Sequence, residues 1–389
     1  MREDERIKAA IIRGGTSKGV YLMANDLPKD PRIKDEVILN IFGSPDVRQI
    51  NGLGGADPLT SKLAIIKPST RKDADIDYTF GYVGIDSAYV DYSGNCGNIS
   101  SGVGPFAVDE GLVPAVEPMT KVKIYNTNTK KVIEAEVPVK NGRSVSEGDY
   151  VINGVPGTGA KILLNFLDSG GSKTGKLLPT GKTTNEIIIK DGRRLTVSIV
   201  DAATPAIFVR AVDLGFTGTE LPNDAQKIEL LEVMEEIRCI GAEMIGLAKS
   251  RDTATEETPA VPKVVLVADS SDYKTIDGQV ILSNKIDLVA RTKALAVMHK
   301  AFAVTGGICT ATAALIKGTV VNDVIGQQAV ESGTVRIGHP SGVLDFSIEL
   351  IQRSDGEIHL EKAAVARTSR RIMDGYVYIP AKIYWKESR

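Results

Sequence analysis

Two glycine-rich segments that lead into apolar stretches constrain the fold of this chain more than any other feature. "GNCGNISSGVGPFAV" begins at residue 94 and "VTGGICTATAALI" begins at residue 304. Each runs from small, polar residues into a helix-like apolar stretch, and each follows a group of strand-like segments. This organisation predicts an internal duplication, with two α/β halves that carry equivalent helix N-termini.

The strand-like segments alternate in polarity or are rich in β-branched residues, and turn-forming residues separate them. They are residues 9–12, 63–67, 76–83, 122–125, 131–137, 187–190, 195–199, 206–211, 264–268 and 334–337. The clearest helical segment is 224–249, which has apolar residues at helical spacing and no proline. Two further helices are expected to begin just after "GNCGNISSG" and just after "VTGGICT".

The length of the chain suggests two domains, because 389 residues are many for one hydrophobic core. The segment "GSKTGKLLPTGKTTN", residues 171–185, is polar and rich in turn-forming residues. We therefore expect one domain over 1–184 and a second over 185–389, with the last strand free to return to the first domain.

Composition excludes several classes of function. The net charge of −2 provides no basic field for nucleic acid or for an anionic membrane. The first residues lack the apolar core of a secretory signal, and no run approaches the ~18–20 apolar residues that span a bilayer. Cys96, Cys239 and Cys309 are widely spaced and form no CxxC pair, which favours a reducing cytoplasm over a disulfide framework. We expect a cytoplasmic protein without nucleic-acid or membrane partners, and the sequence leaves a homo-oligomer open.

Two patterns that resemble nucleotide-binding loops fail on residue type. Residues 170–176 read GxxxxGK, but Leu177 stands where Ser or Thr would hold magnesium. In "NGLGGAD", Asp57 stands where the third glycine of a dinucleotide loop belongs. The three histidines do not pair at metal-ligand spacing. We therefore expect neither a nucleotide cofactor nor a metal.

The cysteine of "GNCGNISSG" lies where a helix is expected to begin. Free N–H groups and the partial positive charge of a helix N-terminus stabilise a thiolate. Gly97 lets a ligand approach the backbone, and Asn98 offers a polar group that would orient it. Cys96 is therefore a candidate nucleophile or proton carrier and Asn98 a candidate ligand contact. The alternative for Cys96 is a small, buried hydrophobic residue.

A lysine follows the glycine-rich loop in "NGLGGADPLTSKLAII". Lys62 directly precedes a strand of alternating apolar residues, and Ser61 lies next to it. A lysine at the start of a strand is a candidate for a desolvated general base, with Ser61 as a candidate substrate contact. A solvated surface lysine is the alternative.

Two further turns have the composition of anion-binding loops. "RGGTSKG", residues 13–19, contains Thr16 and Ser17, and "GHPSG", residues 338–342, contains His339, Ser341 and Gly342. Turns of this kind present backbone N–H groups to a carboxylate or phosphate. We take these five residues as candidate substrate contacts, with an ordinary turn as the alternative in each case.

These segments together resemble the PrpF-type isomerases. The resemblance rests on "AAIIRGGTSKGVYL", "NGLGGADPLTSK", "SGNCGNISSGVGPFA", "LLPTG", "MHKAFAVTGGICTATAA" and "IGHPSG", which span nearly the whole chain in the same order. The family includes isomerases of methylitaconate, methylaconitate and aconitate, and oxalomesaconate tautomerase. The resemblance implies an α/β fold of the diaminopimelate epimerase type, with two pseudo-symmetric halves that each wrap a curved sheet around a central helix.

The resemblance also implies roles for two residues. In the epimerases, a cysteine at each central helix contributes to a thiol pair, and Cys96 matches the first of these. The second has no clear match, because Val304 or Thr305 stands near that point and Cys309 falls deeper in the helix. In the PrpF-type branch the partner acid/base is a lysine, which Lys62 matches.

The implied reaction is a cofactor-independent shift of one C=C bond in a small di- or tricarboxylic acid by 1,3-proton transfer. We favour the conversion of methylitaconate to 2,3-dimethylmaleate, with Lys62 as base and Cys96 as acid. Other substrates of the family stay open. An amino-acid racemase on the same fold would need a second thiol at a helix start. A non-catalytic carboxylate-binding accessory protein would tolerate the loss of Cys96.

Overall fold

A computed structural model of the chain describes residues 3–92, 94–225, 228–294, 297–353 and 356–386. The strands are β1 (Asp4–Gly14), β2 (Ser17–Met23), β3 (Lys62–Pro68), β4 (Ile76–Val83), β5 (Val90–Asp91), β6 (Met119–Asn126), β7 (Lys131–Lys140), β8 (Arg143–Ser144), β9 (Ile162–Leu167), β10 (Asn185–Ile188), β11 (Arg194–Ala202), β12 (Thr204–Arg210), β13 (Lys263–Asp269), β14 (Tyr273–Lys274), β15 (Val280–Ile281), β16 (Leu288–Ala294), β17 (Val297–Met298), β18 (Thr334–His339), β19 (Gly342–Gln352), β20 (Ile358–Arg367) and β21 (Ser369–Pro380). The α-helices are α1 (Pro31–Phe42), α2 (Gly97–Asp109), α3 (Pro222–Ala225), α4 (Ile228–Met244), α5 (Ala254–Glu257), α6 (Val304–Leu315), α7 (Gln327–Ser332) and α8 (Ala381–Tyr384).

The residues group into two compact units. The first unit consists of Met1–Asn165 and Ala366–Arg389, and the second consists of Phe166–Val365. The domain limits of 1–184 and 185–389 stay a prediction, since a grouping by contacts does not test which segments fold together. The last strand, β21, pairs with β1 inside the first unit.

The first unit is built on a sheet in the order β21-β1-β2-β3-β4-β6-β7. Along this order the neighbouring pairs are antiparallel, antiparallel, parallel, antiparallel, parallel and antiparallel. Helix α2 follows β4 and β5 and packs against β1, β2, β6 and β7. Most of its residues are buried, so α2 is the central helix of this unit.

The second unit repeats this organisation. Its sheet runs β10-β11-β12-β13-β16-β18-β19, and the neighbouring pairs have the same sequence of directions as in the first unit. Helix α6 follows β16 and β17, packs against β11, β12, β18 and β19, and is almost entirely buried. The duplication expected from the two glycine-rich segments is therefore confirmed, with α2 and α6 in equivalent positions.

Alternate side chains of β3 lie on opposite faces of the sheet, one facing the hydrophobic core and the other facing away from it. Leu63 and Ile65 pack in the cluster that includes Ile38 and Ile41 of α1. Because side chains alternate along a strand, Lys62 lies on the opposite face of the sheet. The first residue of β3 is thereby turned away from the α1 core.

The expected starts of the two central helices were wrong. Helix α2 begins at Gly97 and α6 at Val304, so both glycine-rich segments lie largely inside the helices that they were expected to precede. The glycines are tolerated because neighbours pack directly on them. A Cβ at Gly102 would lie 2.4 Å from the Tyr21 hydroxyl oxygen, and one at Gly307 would lie 2.3 Å from a ring carbon of Phe346. Tertiary packing here overrides helix propensity.

The long helix expected over 224–249 is shorter in the structure. Helix α4 covers Ile228–Met244, residues 226–227 lie outside the described part of the chain, and α3 precedes them. Gly246 adopts a left-handed conformation with φ of 71°, which ends the helix. The strand predictions agree with the observed strands to within a few residues. Across the described ranges, none of the helices has the length and apolar character needed to cross a membrane.

Candidate active site

The hairpin between β1 and β2 brings the "GGTSKG" turn against the start of α2. Gly14 pairs with Ser17, which leaves Gly15 and Thr16 as a two-residue turn. Gly15 has a φ of 51°, and a Cβ there would lie 2.2 Å from Oδ1 of Asn98. A side chain at Gly15 would therefore be both strained and in collision with Asn98. The two glycines of the motif allow the turn to lie directly on the helix start.

Lys62 reaches this turn because β3 runs parallel to β2. Lys62 pairs with Gly19, and Ser17 lies two residues earlier on the same face of β2. The Lys62 amine donates to Ser17 Oγ at 3.0 Å and to Cys96 Sγ at 3.3 Å. The residue is only 7% exposed, so the amine is largely withdrawn from bulk water.

Cys96 is the N-cap residue of α2, and its backbone is held on both sides. Its N–H donates to Asn95 Oδ1 at 2.7 Å, and the same oxygen accepts from Asn126 Nδ2 at 2.9 Å. Its carbonyl accepts hydrogen bonds from the backbone N–H and the hydroxyl of Ser100. The side chain makes no capping hydrogen bond, so the thiol is left to contact Lys62.

Asn98 connects the turn to an arginine that the sequence analysis missed. Arg367 Nε donates to Asn98 Oδ1 at 3.2 Å, and Asn98 Nδ2 donates to Thr16 Oγ1 at 2.9 Å. Because the Thr16 hydroxyl accepts from Asn98, its own proton is left to be donated to a ligand. Arg367 ends β20, and no motif in the surrounding residues marks it. Only the fold brings it to Asn98.

An amine, a guanidinium and two hydroxyl groups therefore gather at the N-terminus of α2. Lys62 supplies the amine, Arg367 supplies the positive charge, and Thr16 and Ser17 supply the hydroxyls, beside the positive end of the helix. Such a set of donors suits an anion.

Two buried tyrosines lie beneath the helix start. The Tyr21 hydroxyl donates to the carbonyl of Ile99 at 2.5 Å. Burial raises the pKa of Tyr21 and of Tyr78 well above the usual range, and the charge of a Cys96 thiolate would add to this effect. Both phenols therefore stay neutral.

Ser61, another predicted contact, is held away from solvent by its own loop. Its hydroxyl donates to the carbonyl of Val83 at 2.9 Å and accepts from Gln49 Nε2 at 2.9 Å. The residue is fully buried. These bonds attach the glycine-rich loop to β4 immediately before Lys62.

The remaining predicted contacts lie in the turn between β18 and β19 of the second unit. His339 and Gly342 form the last pair of the two strands. The N–H of Ser341 donates to His339 Nδ1 at 3.2 Å, and its hydroxyl donates to the carbonyl of Lys300 at 2.5 Å. The Gly342 carbonyl accepts from the Tyr273 hydroxyl at 2.5 Å. The structure thus places these three residues in one ordered turn.

An amine in contact with a thiol, beside anion-binding groups, is suited to moving protons on an anionic molecule. The fold is also similar to that of solved epimerases. A solved hydroxyproline epimerase from Agrobacterium vitis superimposes with a TM-score of 0.55 at 12% identity, over 98% of this chain and 94% of that one. The chain therefore has a fold of the diaminopimelate epimerase type, with an amine–thiol pair at one helix start.

Comparison with closer relatives narrows this class. The family model described as "PrpF protein" matches residues 4–380. The 3-methylitaconate isomerase of Eubacterium barkeri is 51% identical over 97% of this chain and 98% of its own length. A solved structure of methylitaconate-delta-isomerase has a TM-score of 0.89 at 49% identity, over 100% of this chain and 99% of that one. The chain belongs to the PrpF family and is an isomerase.

Proposed function

We propose that this isomerase converts methylitaconate to 2,3-dimethylmaleate by a 1,3-proton shift, with Lys62 and Cys96 as the acid/base pair. The observation that carries the proposal is the 3.3 Å contact between the Lys62 amine and the Cys96 thiol at the start of a buried helix. The similarity over nearly the full length to the 3-methylitaconate isomerase sequence and to the solved methylitaconate-delta-isomerase structure supports the choice of substrate.

The proton shift requires one base and one acid. Lys62, in its neutral form, removes the proton from C3, which is α to a carboxylate. The C=C bond moves to C2–C3, and Cys96 delivers a proton that turns the exocyclic CH2 into a methyl group. This leaves Lys62 as an ammonium and Cys96 as a thiolate. Because the two groups are in contact, one proton passes from Lys62 to Cys96 and both return to their starting forms.

The dienolate formed after proton removal is the species that needs most stabilisation. It carries an additional negative charge next to carboxylates that are already ionised. The N-terminus of α2 supplies a positive partial charge, and we assign Thr16, Ser17 and Asn98 to the carboxylate contacts. Losing one preorganised donor costs roughly 3–4 kcal/mol in other enzymes. Ser61, His339, Ser341 and Gly342 stay predicted substrate contacts.

The test is a proton NMR screen of the purified protein in D2O. Methylitaconate, methylaconitate, aconitate, oxalomesaconate and a set of amino acids are supplied separately. We expect loss of the C3 proton of methylitaconate and a deuterium-bearing methyl group in the product. Prior dialysis against a chelator, with no nucleotide or pyridoxal phosphate added, should leave the rate unchanged. Turnover of another acid in preference to methylitaconate would contradict the proposed substrate, and racemisation of an amino acid would contradict the proposed reaction.

A further inference from the structure

Arg367 is a buried arginine that contacts the start of α2. It is the last residue of β20, is only 4% exposed, and belongs to the first compact unit, as Asn98 does. Its Nε donates to Asn98 Oδ1 at 3.2 Å, and its Nη1 donates to the carbonyl of Ala366 at 2.8 Å. A guanidinium carries donors only and stays protonated in proteins. Any atom of Asn98 that faces it must therefore be an acceptor.

The side-chain amide of Asn98 has one acceptor end and one donor end, and Arg367 fixes which end faces which neighbour. Because Oδ1 faces the guanidinium, Nδ2 faces the other way and donates to Thr16 Oγ1 at 2.9 Å. Nδ2 can only donate, so the Thr16 oxygen accepts and the hydroxyl hydrogen points elsewhere. In the reversed amide, Oδ1 would accept that hydrogen instead. The contact with Arg367 thus keeps Thr16 a donor toward a ligand.

The turn that contains Thr16 is held in place by its backbone. The N–H of Gly15 donates to the carbonyl of Thr368 at 2.9 Å. The next residue, Ser17, accepts a hydrogen bond from the amine of Lys62. The turn therefore has a defined position beside this amine, and the direction of the threonine hydrogen is the feature that side-chain contacts decide.

The second unit contains the same backbone contact. Between β11 and β12, the N–H of Ala203 donates to the carbonyl of Ser169 at 2.7 Å, as the N–H of Gly15 donates to the carbonyl of Thr368. Ala203 and Gly15 also share a positive φ, of 60° and 51° respectively. The two turns are therefore structural counterparts, and so are the segments that accept their N–H groups.

The side chains at the corresponding positions of the second unit are different. Asp168 precedes Ser169, so an acid stands in the place of Arg367. Thr305 lies two residues after the N-cap of α6, in the place of Asn98. The backbone contact forms in the second unit without the arginine and the asparagine. These two residues occur together beside the helix start that carries the thiol, which favours a role in the site over a role in the fold.

We propose that Arg367 is a positioning residue of the isomerase: by fixing the Asn98 amide, it makes Thr16 a hydrogen-bond donor to a substrate carboxylate. This inference rests on the proposed function, in which Thr16 contacts a carboxylate. A hydroxyl that donates to a carboxylate forms a short, charge-assisted bond, whereas a hydroxyl turned away presents lone pairs that repel the anion. Arg367 thus sets the affinity of the site for an anionic group by acting through Asn98.

The first experiment measures kcat/KM with methylitaconate, or with whichever acid of the NMR screen the wild type converts. Arg367→Met removes the guanidinium, and kcat/KM should fall about 10- to 100-fold, the range for a lost hydrogen bond to a charged group. Arg367→Lys also offers only donors and should recover most of this loss. The matched control Arg370→Met removes an exposed arginine of β21 and should behave as wild type.

A double variant separates positioning from a structural role. Thr16→Val removes the hydroxyl that Arg367 is proposed to orient, so adding Arg367→Met to it should cause little further loss of kcat/KM. A variant that merely weakens the fold, or that removes a direct contact with the substrate, would cause the same loss with and without the hydroxyl. Equal losses in the two backgrounds would overturn the inference.

A further variant leaves the arginine in place, in case Arg367→Met does not fold. In Asn98→Asp the carboxylate still accepts from Arg367 but also accepts the Thr16 hydrogen, because it has no donor. An acidic residue in the first turn suits the helix, so the free energy of unfolding measured in urea should not fall. We expect kcat/KM to fall about 10- to 100-fold all the same.

The outcomes distinguish this inference from the proposed function. Wild-type kcat/KM in Arg367→Met or in Asn98→Asp would overturn the inference while the wild type still isomerises its substrate. Failure of the proposed function appears in the wild type itself, as turnover of none of the acids in the NMR screen.

Discussion

The two central helices start in equivalent places but carry different residues there. Cys96 is the N-cap of α2 and Ala303 is the N-cap of α6, both in extended backbone conformations. Both helices follow the same arrangement of strands, so the difference arises from the side chain and not from the backbone. A duplicated fold has thus provided two helix N-termini, of which only one carries a thiol.

Cys309, one of the two cysteines of the second unit, shows what a thiol does when it is not at a helix start. Cys309 lies inside α6, is fully buried, and donates from Sγ to the carbonyl of Val200 at 3.2 Å. Burial raises its pKa, so the thiol stays protonated and inert. Cys96 and Cys309 are therefore not a symmetric pair. The comparison favours an asymmetric site in which an amine replaces the second thiol.

The largest expected difference is in kcat, between the variant that replaces Cys96 with serine and the variant that replaces Cys309 with serine. In Cys96→Ser we expect kcat to fall by about 10²–10⁴-fold with little change in KM, because a hydroxyl is a much weaker acid than a thiol. The matched variant Cys309→Ser should keep wild-type kcat. Steady-state kinetics on both proteins give the comparison. Equal losses in the two variants would remove the distinction between the helix starts.

Removing the amine should have an effect of similar size. We expect Lys62→Met to lower kcat by about 10²–10⁴-fold. The double variant with Cys96→Ser should be scarcely slower than the poorer single variant, because both groups serve one proton shift. Cys96→Ser should still exchange the C3 proton of the substrate in D2O if Lys62 is the base. Multiplicative losses in the double variant would show that the two residues act independently.

Much of the fold could be predicted from the sequence because its signals are local. Alternating β-branched segments marked ten of the described strands, and two glycine-rich segments marked the duplication. The longer strands that were not marked are β2, β9, β16, β19, β20 and β21. The helix starts could not be placed, because they depend on which neighbours pack on the glycines. Tyr21 lies on Gly102 and Phe346 lies on Gly307, and both aromatic residues are distant in sequence from the glycines that they contact.

Part of the candidate site could also be predicted, because the motifs of two of its residues are local in the sequence. Lys62 and Cys96 stand in motifs with distinctive composition, and the structure places them in contact. Arg367 and Asn126 stand in segments without such composition, and long-range strand pairing brings them to the start of α2. Residues that support a site through tertiary contacts leave little trace in their own neighbourhood of the sequence.

The close packing on glycine in the central helices should be visible in stability. In α6, a Cβ at Gly307 would lie 2.3 Å from Phe346, whereas the nearest atom to a Cβ at Gly306 would be 3.7 Å away. Gly307→Ala should lower the free energy of unfolding by about 1–3 kcal/mol through overpacking. Gly306→Ala should leave it unchanged or raise it by up to about 1 kcal/mol. Urea denaturation of both variants is the measurement, and similar stabilities would show that α6 can move away from Phe346.

The smallest expected effect is a gain in the free energy of unfolding when serine is placed at either helix start. Measured beside kcat, it separates stability from function. Neither Cys96 nor Ala303 makes a side-chain capping hydrogen bond, although serine is among the residues preferred at an N-cap. Ala303→Ser should therefore raise the free energy of unfolding by roughly 0.5–2 kcal/mol, with kcat unchanged. Cys96→Ser should raise the free energy of unfolding by a similar amount, or at least not lower it, while kcat falls.

This outcome would mean that α2 begins with a residue chosen for its acid/base chemistry, since a better capping residue is tolerated there. Urea denaturation measured beside kcat for both variants tests the point, with Cys309→Ser as the control for a cysteine that caps no helix. A marked loss of stability in Cys96→Ser would show instead that the thiol helps to hold the helix start together. The fall in kcat would then report damage to the fold as well as the loss of a proton donor.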